Sequence, residues 1–172
     1  DYRFVSPGSG GRSVGFKEMA VPRQRSETRS IPVEVDLLIL SFLGHFAWEL
    51  LQAPFFSSLD GANHIAGILI CLQATLGDLG IALAAFWAAA LFRNWAAQPG
   101  VGTVAVYLVA GLLITVVLEY LNTEILNRWS YAPDMPLLPV FGTGLSPILQ
   151  WLIIPSLVLW YLHRLAPAAD GP

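Results

Sequence analysis

The sequence predicts an all-α integral membrane protein, a four-transmembrane-helix bundle with both the N-terminus and the C-terminus cytoplasmic. Three observations carry that prediction. Hydrophobic residues make up 55% of the 172 positions and charged residues only 12%, about half the charged share of an ordinary soluble domain. Mean hydropathy is positive, at 0.61. Four apolar stretches, about 33–56, 64–92, 101–126 and 145–165, each reach the ~20 residues that a helix needs to cross a bilayer. A net charge of −3 gives no sign of nucleic acid in the totals, and one cysteine, Cys71, excludes an intrachain disulfide framework.

Residues 1–31 form a basic tail rich in Gly, Pro and Ser. It holds Arg3, Arg12, Lys17, Arg23, Arg25 and Arg29, six of the nine Lys and Arg residues. It has no continuous apolar core, so it does not resemble a signal peptide. A membrane domain is expected over 32–166, followed by a short C-terminal tail, 167–172.

The first span opens after Pro32, and Pro54 with Ser57-Ser58-Leu59-Asp60-Gly61 turns the chain. The second begins at His64 and runs to Phe92. Gln98-Pro99-Gly100 precedes the third, and a longer loop rich in Pro and Gly leads to the fourth, where Pro147 is acceptable in the first helical turn. Basic residues set the orientation. With the tail inside, Arg93 and Arg164 join it, eight of nine positive charges in all, and only Arg128 stays outside. Trp95, Trp129, Tyr131, Trp160 and Tyr161 fall where interfacial aromatics belong.

Polar side chains within the spans are costly in lipid and therefore informative. In the first span His45, Glu49 and Gln52 share one helical face. The second holds His64, Cys71, Thr75 and Asp78, with Ala82, Ala85 and Ala89 extending a small-residue face toward the inner end. The third carries Thr115, Glu119 and Asn122 on one face, with Glu124 turned away toward the interface. Gln150 and Trp151 lie near the outer end of the fourth. At ~1.5 Å per residue, Glu49 lies roughly 9 Å below the outer end of its span. Glu119 and Cys71 come about 10 Å down, Gln150 about 7 Å and His45 about 15 Å. These depths place polar groups from four helices in one layer. Asp78, about 20 Å in, is expected nearer the cytoplasmic side. Two carboxyls in one layer repel if both ionise, so Glu49 and Glu119 are expected to share a proton, a partner such as His45 or a cation. Interhelical hydrogen bonding alone is the competing account of Gln52, Thr75, Thr115, Asn122 and Gln150.

No metal set is assigned: His45 and Glu49 are suitably spaced, but the repeated Glu-x-x-His motif of a di-iron bundle is missing. Histidines at different depths make a poor haem site, and the cofactor is left unknown. Outside the membrane, Arg128-Trp129-Ser130-Tyr131-Ala132-Pro133 and the prolines that follow predict an anchoring loop or a lid over the polar layer. Arg128 is expected to pair with Glu124, Glu119 or an anionic headgroup.

Three segments resemble a family of small bacterial membrane proteins with no assigned activity: His45-Phe46-Ala47-Trp48-Glu49-Leu50-Leu51-Gln52-Ala53-Pro54-Phe55-Phe56, Ala74-Thr75-Leu76-Gly77-Asp78, and Gly142-Thr143-Gly144-Leu145-Ser146-Pro147-Ile148-Leu149-Gln150-Trp151. A looser likeness is to membrane carotenoid cyclases and hydratases. In those a Glu near the outer end of a span precedes an aromatic, Pro-rich loop and a span with Pro and Trp, an order matched by Glu119, Trp129, Tyr131, Pro136, Pro147 and Trp151. That likeness implies an isoprenoid ligand.

The expected function is a bacterial inner-membrane, multi-pass protein with a polar site for a hydrophobic or lipid-like molecule. Glu49, Glu119 and His45 are its candidate catalytic groups. Gln52, His64, Cys71, Asp78, Asn122, Arg128, Trp129, Tyr131, Gln150 and Trp151 are its candidate ligand contacts. Two alternatives stand beside it. One is an accessory subunit of a larger complex whose basic tail docks on a protein partner or on membrane lipids. The other is a small transporter or channel acting as an oligomer.

Overall fold

A computed structural model of the chain describes residues 32–92, 99–139 and 142–165. The basic tail, Arg93, Trp95 and the C-terminal tail lie outside the described residues. Among those described are four α-helices: α1 (Val33–Gln52), α2 (His64–Phe92), α3 (Val101–Tyr120) and α4 (Leu145–Leu165). No strand occurs among them, only two isolated bridges. α1 packs on α2 and α4, and α3 packs on the same two helices, so α1 and α3 face each other diagonally.

The first apolar stretch was expected to stay helical to Phe56, but α1 ends at Gln52. Pro54 has no N–H to continue the ladder, and the chain passes through two 3-10 turns, Ala53–Phe55 and Ser57–Leu59. Asn63 then starts α2, its Oδ1 accepting from the Ala66 N–H at 2.9 Å. α3 passes into a π-helical turn over Leu121–Ile125. The extra residue in that turn leaves Asn122 buried and Glu124 exposed.

Three helical segments, His64–Phe92, Val101–Ile125 and Leu145–Arg164, are long and apolar enough to cross a membrane. α1 is not among them. Glu34 and Asp36 lie in its first turn, and His45, Glu49 and Gln52 dilute its apolar character. Yet α1 buries Ser41, His45 and Gln52 while Leu43 and Leu51 are 60% and 74% exposed. These polar residues face inward, while Ile39, Leu43, Leu50 and Leu51 face outward.

Packing depends on small residues, since lipid is as apolar as the helix surfaces and close approach supplies the attraction. Ala82, Ala85 and Ala89 are fully buried on α2, as their spacing predicts. A Cβ on Gly44 would stand 2.6 Å from Ile154 Cγ2, so α1 approaches α4 there only without a side chain. Gly111 makes the same allowance for the ring of Trp151. One half of the bundle is a dry core of Leu37, Phe86, Tyr107, Val158, Leu159, Leu162 and the alanines Ala85 and Ala89. The other half is polar inside and capped by two loops.

The cap joins residues on either side of the bundle. Phe56 pairs with Tyr131 as an antiparallel bridge, the Ala132 N–H donates to Phe55 O at 2.8 Å, and the Ser57 and Ser130 hydroxyls bond at 2.8 Å. The Gly142-Thr143-Gly144 run closes the second loop. Gly142 has φ +63°, a left-handed conformation that suits glycine. The Leu145 N–H donates to Pro136 O at 2.7 Å.

Candidate functional site

Beneath the cap lies a cavity of about 620 Å³, walled by all four helices and both loops. That volume is within the usual range of small-molecule sites. Glu49, Gln52, Cys71, Asp78, Glu119, Asn122, Arg128, Trp129, Gln150 and Trp151 line it, as do the apolar Phe56, Ile70, Ile81 and Leu118. Glu49 and Glu119 come from diagonally opposed helices and meet across this space.

On the α1 side the polar groups form one connected network. Gln150 sits at its centre, buried on α4. Its amide nitrogen lies 3.1 Å from Glu49 Oε1, 3.1 Å from Asp78 Oδ2 and 2.9 Å from His45 Nδ1. An amide carries two hydrogens, so it serves at most two of these three acceptors fully. Its own Oε1 accepts from Gln52 Nε2 at 3.2 Å. Gln52 also donates to Glu49 Oε1 at 2.9 Å and accepts from the Ser146 hydroxyl at 2.7 Å. Trp48 Nε1 donates to Ser146 Oγ at 3.1 Å, extending the chain of bonds toward the cap. Cys71 is buried, its thiol 3.6 Å from the backbone oxygen of Glu49.

Asp78 belongs to this network, which corrects the expectation that it lies apart from the polar layer. Trp151 Nε1 donates to its Oδ1 at 3.0 Å, and His45 Nδ1 stands 3.4 Å from its Oδ2. The depth count assumed that every span starts at one level. At 29 residues α2 is about 43 Å long, and with Asp78 held at the level of His45 and Gln150 its first turns overshoot the polar layer. The same overshoot explains His64. It is exposed at the first residue of α2 and does not line the cavity.

His45 was expected to partner Glu49, but its ring turns instead to Gln150 and Asp78. It is fully buried behind the cavity wall, its ring 5.2 Å from that of Trp151, and its Nε2 has no hydrogen-bond partner.

The opposite wall is built from α3, the π-turn and the second loop. The Tyr131 hydroxyl donates to Glu119 Oε2. Burial pushes the Tyr131 hydroxyl above the ordinary tyrosine value, and the nearby Glu119 carboxyl pushes it the same way. The phenol therefore stays a donor. Tyr131 itself stands outside the cavity lining, acting through Glu119. The indole nitrogen of Trp129 is buried beside that carboxyl without closing a hydrogen bond of good geometry. Arg128 was expected to pair with a carboxylate or an anionic headgroup, and no carboxylate pairs with it among the described residues. It is exposed at the rim and instead reaches Asn122 Oδ1 at 3.4 Å, while Asn122 Nδ2 donates to Leu118 O at 2.7 Å. The π-turn sets this contact by bringing the Arg128 N–H within 2.8 Å of Asn122 O.

Gln73 on the lining and Ser146 in the network behind it were not candidate site residues in sequence. Gln73 is a polar residue within an apolar helix, a legible signal, but it lies off the face shared by Cys71, Thr75 and Asp78. Ser146 shows nothing in sequence beyond its place before Pro147. Among the described residues no three His, Cys, Asp or Glu side chains converge as a metal-binding group.

The fold and cavity define an all-helical chain with three helices fit to cross a membrane and an acidic internal site. Comparisons with family models, curated proteins and solved structures give no match.

Proposed function

We propose that the chain is a four-span protein of the bacterial cytoplasmic membrane, both ends inside, that holds a hydrophobic or isoprenoid-like molecule in its capped cavity. The observation that carries this reading is the cavity itself. It combines an apolar wall of Phe56, Ile70, Ile81 and Leu118 with three carboxyls, Glu49, Asp78 and Glu119, under a hydrogen-bonded cap. α1 counts as the fourth span because it turns its polar residues inward and exposes Ile39, Leu43, Leu50 and Leu51. That pattern is stable in lipid and unfavourable in water.

The chemistry that suits the site is general acid–base work, with Glu49 and Glu119 approaching a bound molecule from opposite walls. His45 and Gln150 hold the network behind Glu49 and Asp78. The dry half of the bundle speaks against the transporter alternative. Asp78 is a member of the polar layer rather than an inner step, and Leu37, Phe86, Tyr107 and Leu162 fill the space beyond it.

The test is purification of the full chain in mild detergent with mass spectrometry of what stays bound. A co-purifying hydrophobic molecule, lost when Glu49→Gln and Glu119→Gln are combined, is the expected result. A folded protein that retains and binds no such molecule would overturn the reading.

A further inference from the structure

Between α2 and α3 the cavity is bordered by exposed residues, Ile70, Gln73 and Gly77 of α2 and Leu118 of α3. A Cβ on Gly77 would meet nothing within 4 Å. A glycine inside a helix costs about 1 kcal/mol relative to alanine, and no close helix contact requires it here. What Gly77 provides is width between α2 and α3, at the level of the polar layer.

The charge inside is one-sided. Glu49, Asp78 and Glu119 line one space, and the donors bonded to them are neutral: the amides of Gln52 and Gln150, the Trp151 indole and the Tyr131 phenol. His45 faces Asp78 from behind the wall. Among the described residues the only Lys or Arg on the lining is Arg128, which is exposed at the rim and bonded to Asn122.

A further polar group points to a missing partner. Thr115 lines the cavity, is 4% exposed, and its hydroxyl has no hydrogen-bond partner. Thr75 and Thr123 behave differently, each donating to the carbonyl four residues earlier, Cys71 O and Glu119 O, at 2.9 Å. That local bond is the usual resting place for a helical threonine hydroxyl. The Thr115 hydroxyl makes no such bond.

We propose that the cavity receives a cationic amphiphile, an ammonium head on an apolar chain, which enters sideways between α2 and α3. The head lies among Glu49, Asp78 and Glu119, beside Thr115, and the chain rests on Ile70, Ile81 and Leu118. An ammonium carries three donors and no acceptor, which matches a wall of acceptors. Its charge offsets the carboxyls where water screens them least. This assignment rests on the binding function proposed above.

The test is native mass spectrometry of the full chain in a neutral detergent, titrated with dodecylamine, dodecanol or dodecanoate. Dodecylamine is expected to bind at least about tenfold more tightly than dodecanol, and dodecanoate most weakly. Glu119→Gln should lower dodecylamine affinity about tenfold and dodecanol affinity much less, because the amide keeps an acceptor for Tyr131. Gly77→Leu should abolish binding of the amine, while Ala84→Leu, on the exposed face of the same helix, should not. Equal binding of amine and alcohol, or strongest binding of the acid, overturns the cationic head group while sparing the binding function. Unchanged amine binding in Gly77→Leu overturns the side entrance. If none of the three probes binds, both the head group and the binding function fall.

Discussion

Trp151 donates its indole hydrogen to Asp78 Oδ1 across 3.0 Å, and it does so fully buried, with its ring over the bare face of Gly111. This one contact ties α4 to α2 at the floor of the cavity and leans on α3 for the room to do it. Removing the acceptor with Asp78→Ala strands the indole N–H, while the Gln150 amide keeps Glu49 and His45 for its two hydrogens. A loss of about 1–3 kcal/mol is expected, the cost of one stranded buried group. Trp151→Phe alone and the double variant should be non-additive with it, because the two residues share the bond. Thermal unfolding of all three variants in detergent measures the cycle, and strict additivity would deny the coupling.

Gly111→Ala should destabilise the bundle although alanine is the better helix former. Its methyl group would occupy the place of the Trp151 ring, and overpacking of this kind costs about 1–3 kcal/mol. Combining it with Trp151→Leu should recover part of the loss. The unfolding temperature is the readout, and an unchanged or raised value for Gly111→Ala would contradict the packing.

Tyr131 makes the cap sensitive to alkali. Its hydroxyl value is raised in the folded state by burial and by Glu119. Its contribution is therefore fully present below the unfolded tyrosine value of about 10, and it is lost as pH rises through the folded one. Unfolding temperatures should fall more steeply above pH ~10 in the native chain than in Tyr131→Phe. Parallel slopes would show that the phenol does not stabilise the fold.

Cys71 is a built-in reporter of the cavity. It is the chain's single cysteine, buried and on the lining. A small membrane-permeant maleimide should modify it slowly, a bulky charged one much more slowly still. Any molecule that fills the cavity should slow the small reagent further. Equal rates for the two reagents would place the thiol outside the cavity.

Much of the architecture was legible because it depends on position along the axis. Runs of apolar residues, with Pro54 and Pro99-Gly100 between them, predicted bounds that α2 and α4 reproduce and α3 nearly does. The Ala82, Ala85, Ala89 stripe predicted a close-packed face. The candidate site was legible in membership more than in pairing. Glu49, Glu119, Gln150 and Gln52 do meet at one cavity, but His45 passes over Glu49 for Asp78, and Arg128 passes over both carboxylates for Asn122. Spacing says that His45 and Glu49 share a helical face; it says nothing about what the neighbouring helices present to each.

The sequence by itself determined that this chain is helical, apolar on its outside and sparing with charge, because the cost of placing polar groups in lipid acts on each segment separately. Only the tertiary structure decided how far α2 is raised against its neighbours and which way each helix is turned. Those choices rest on contacts between segments far apart in the chain, Gly111 with Trp151 and Gly44 with Ile154. They are what bring Asp78 down from its own helix into the same cavity as Glu49 and Glu119.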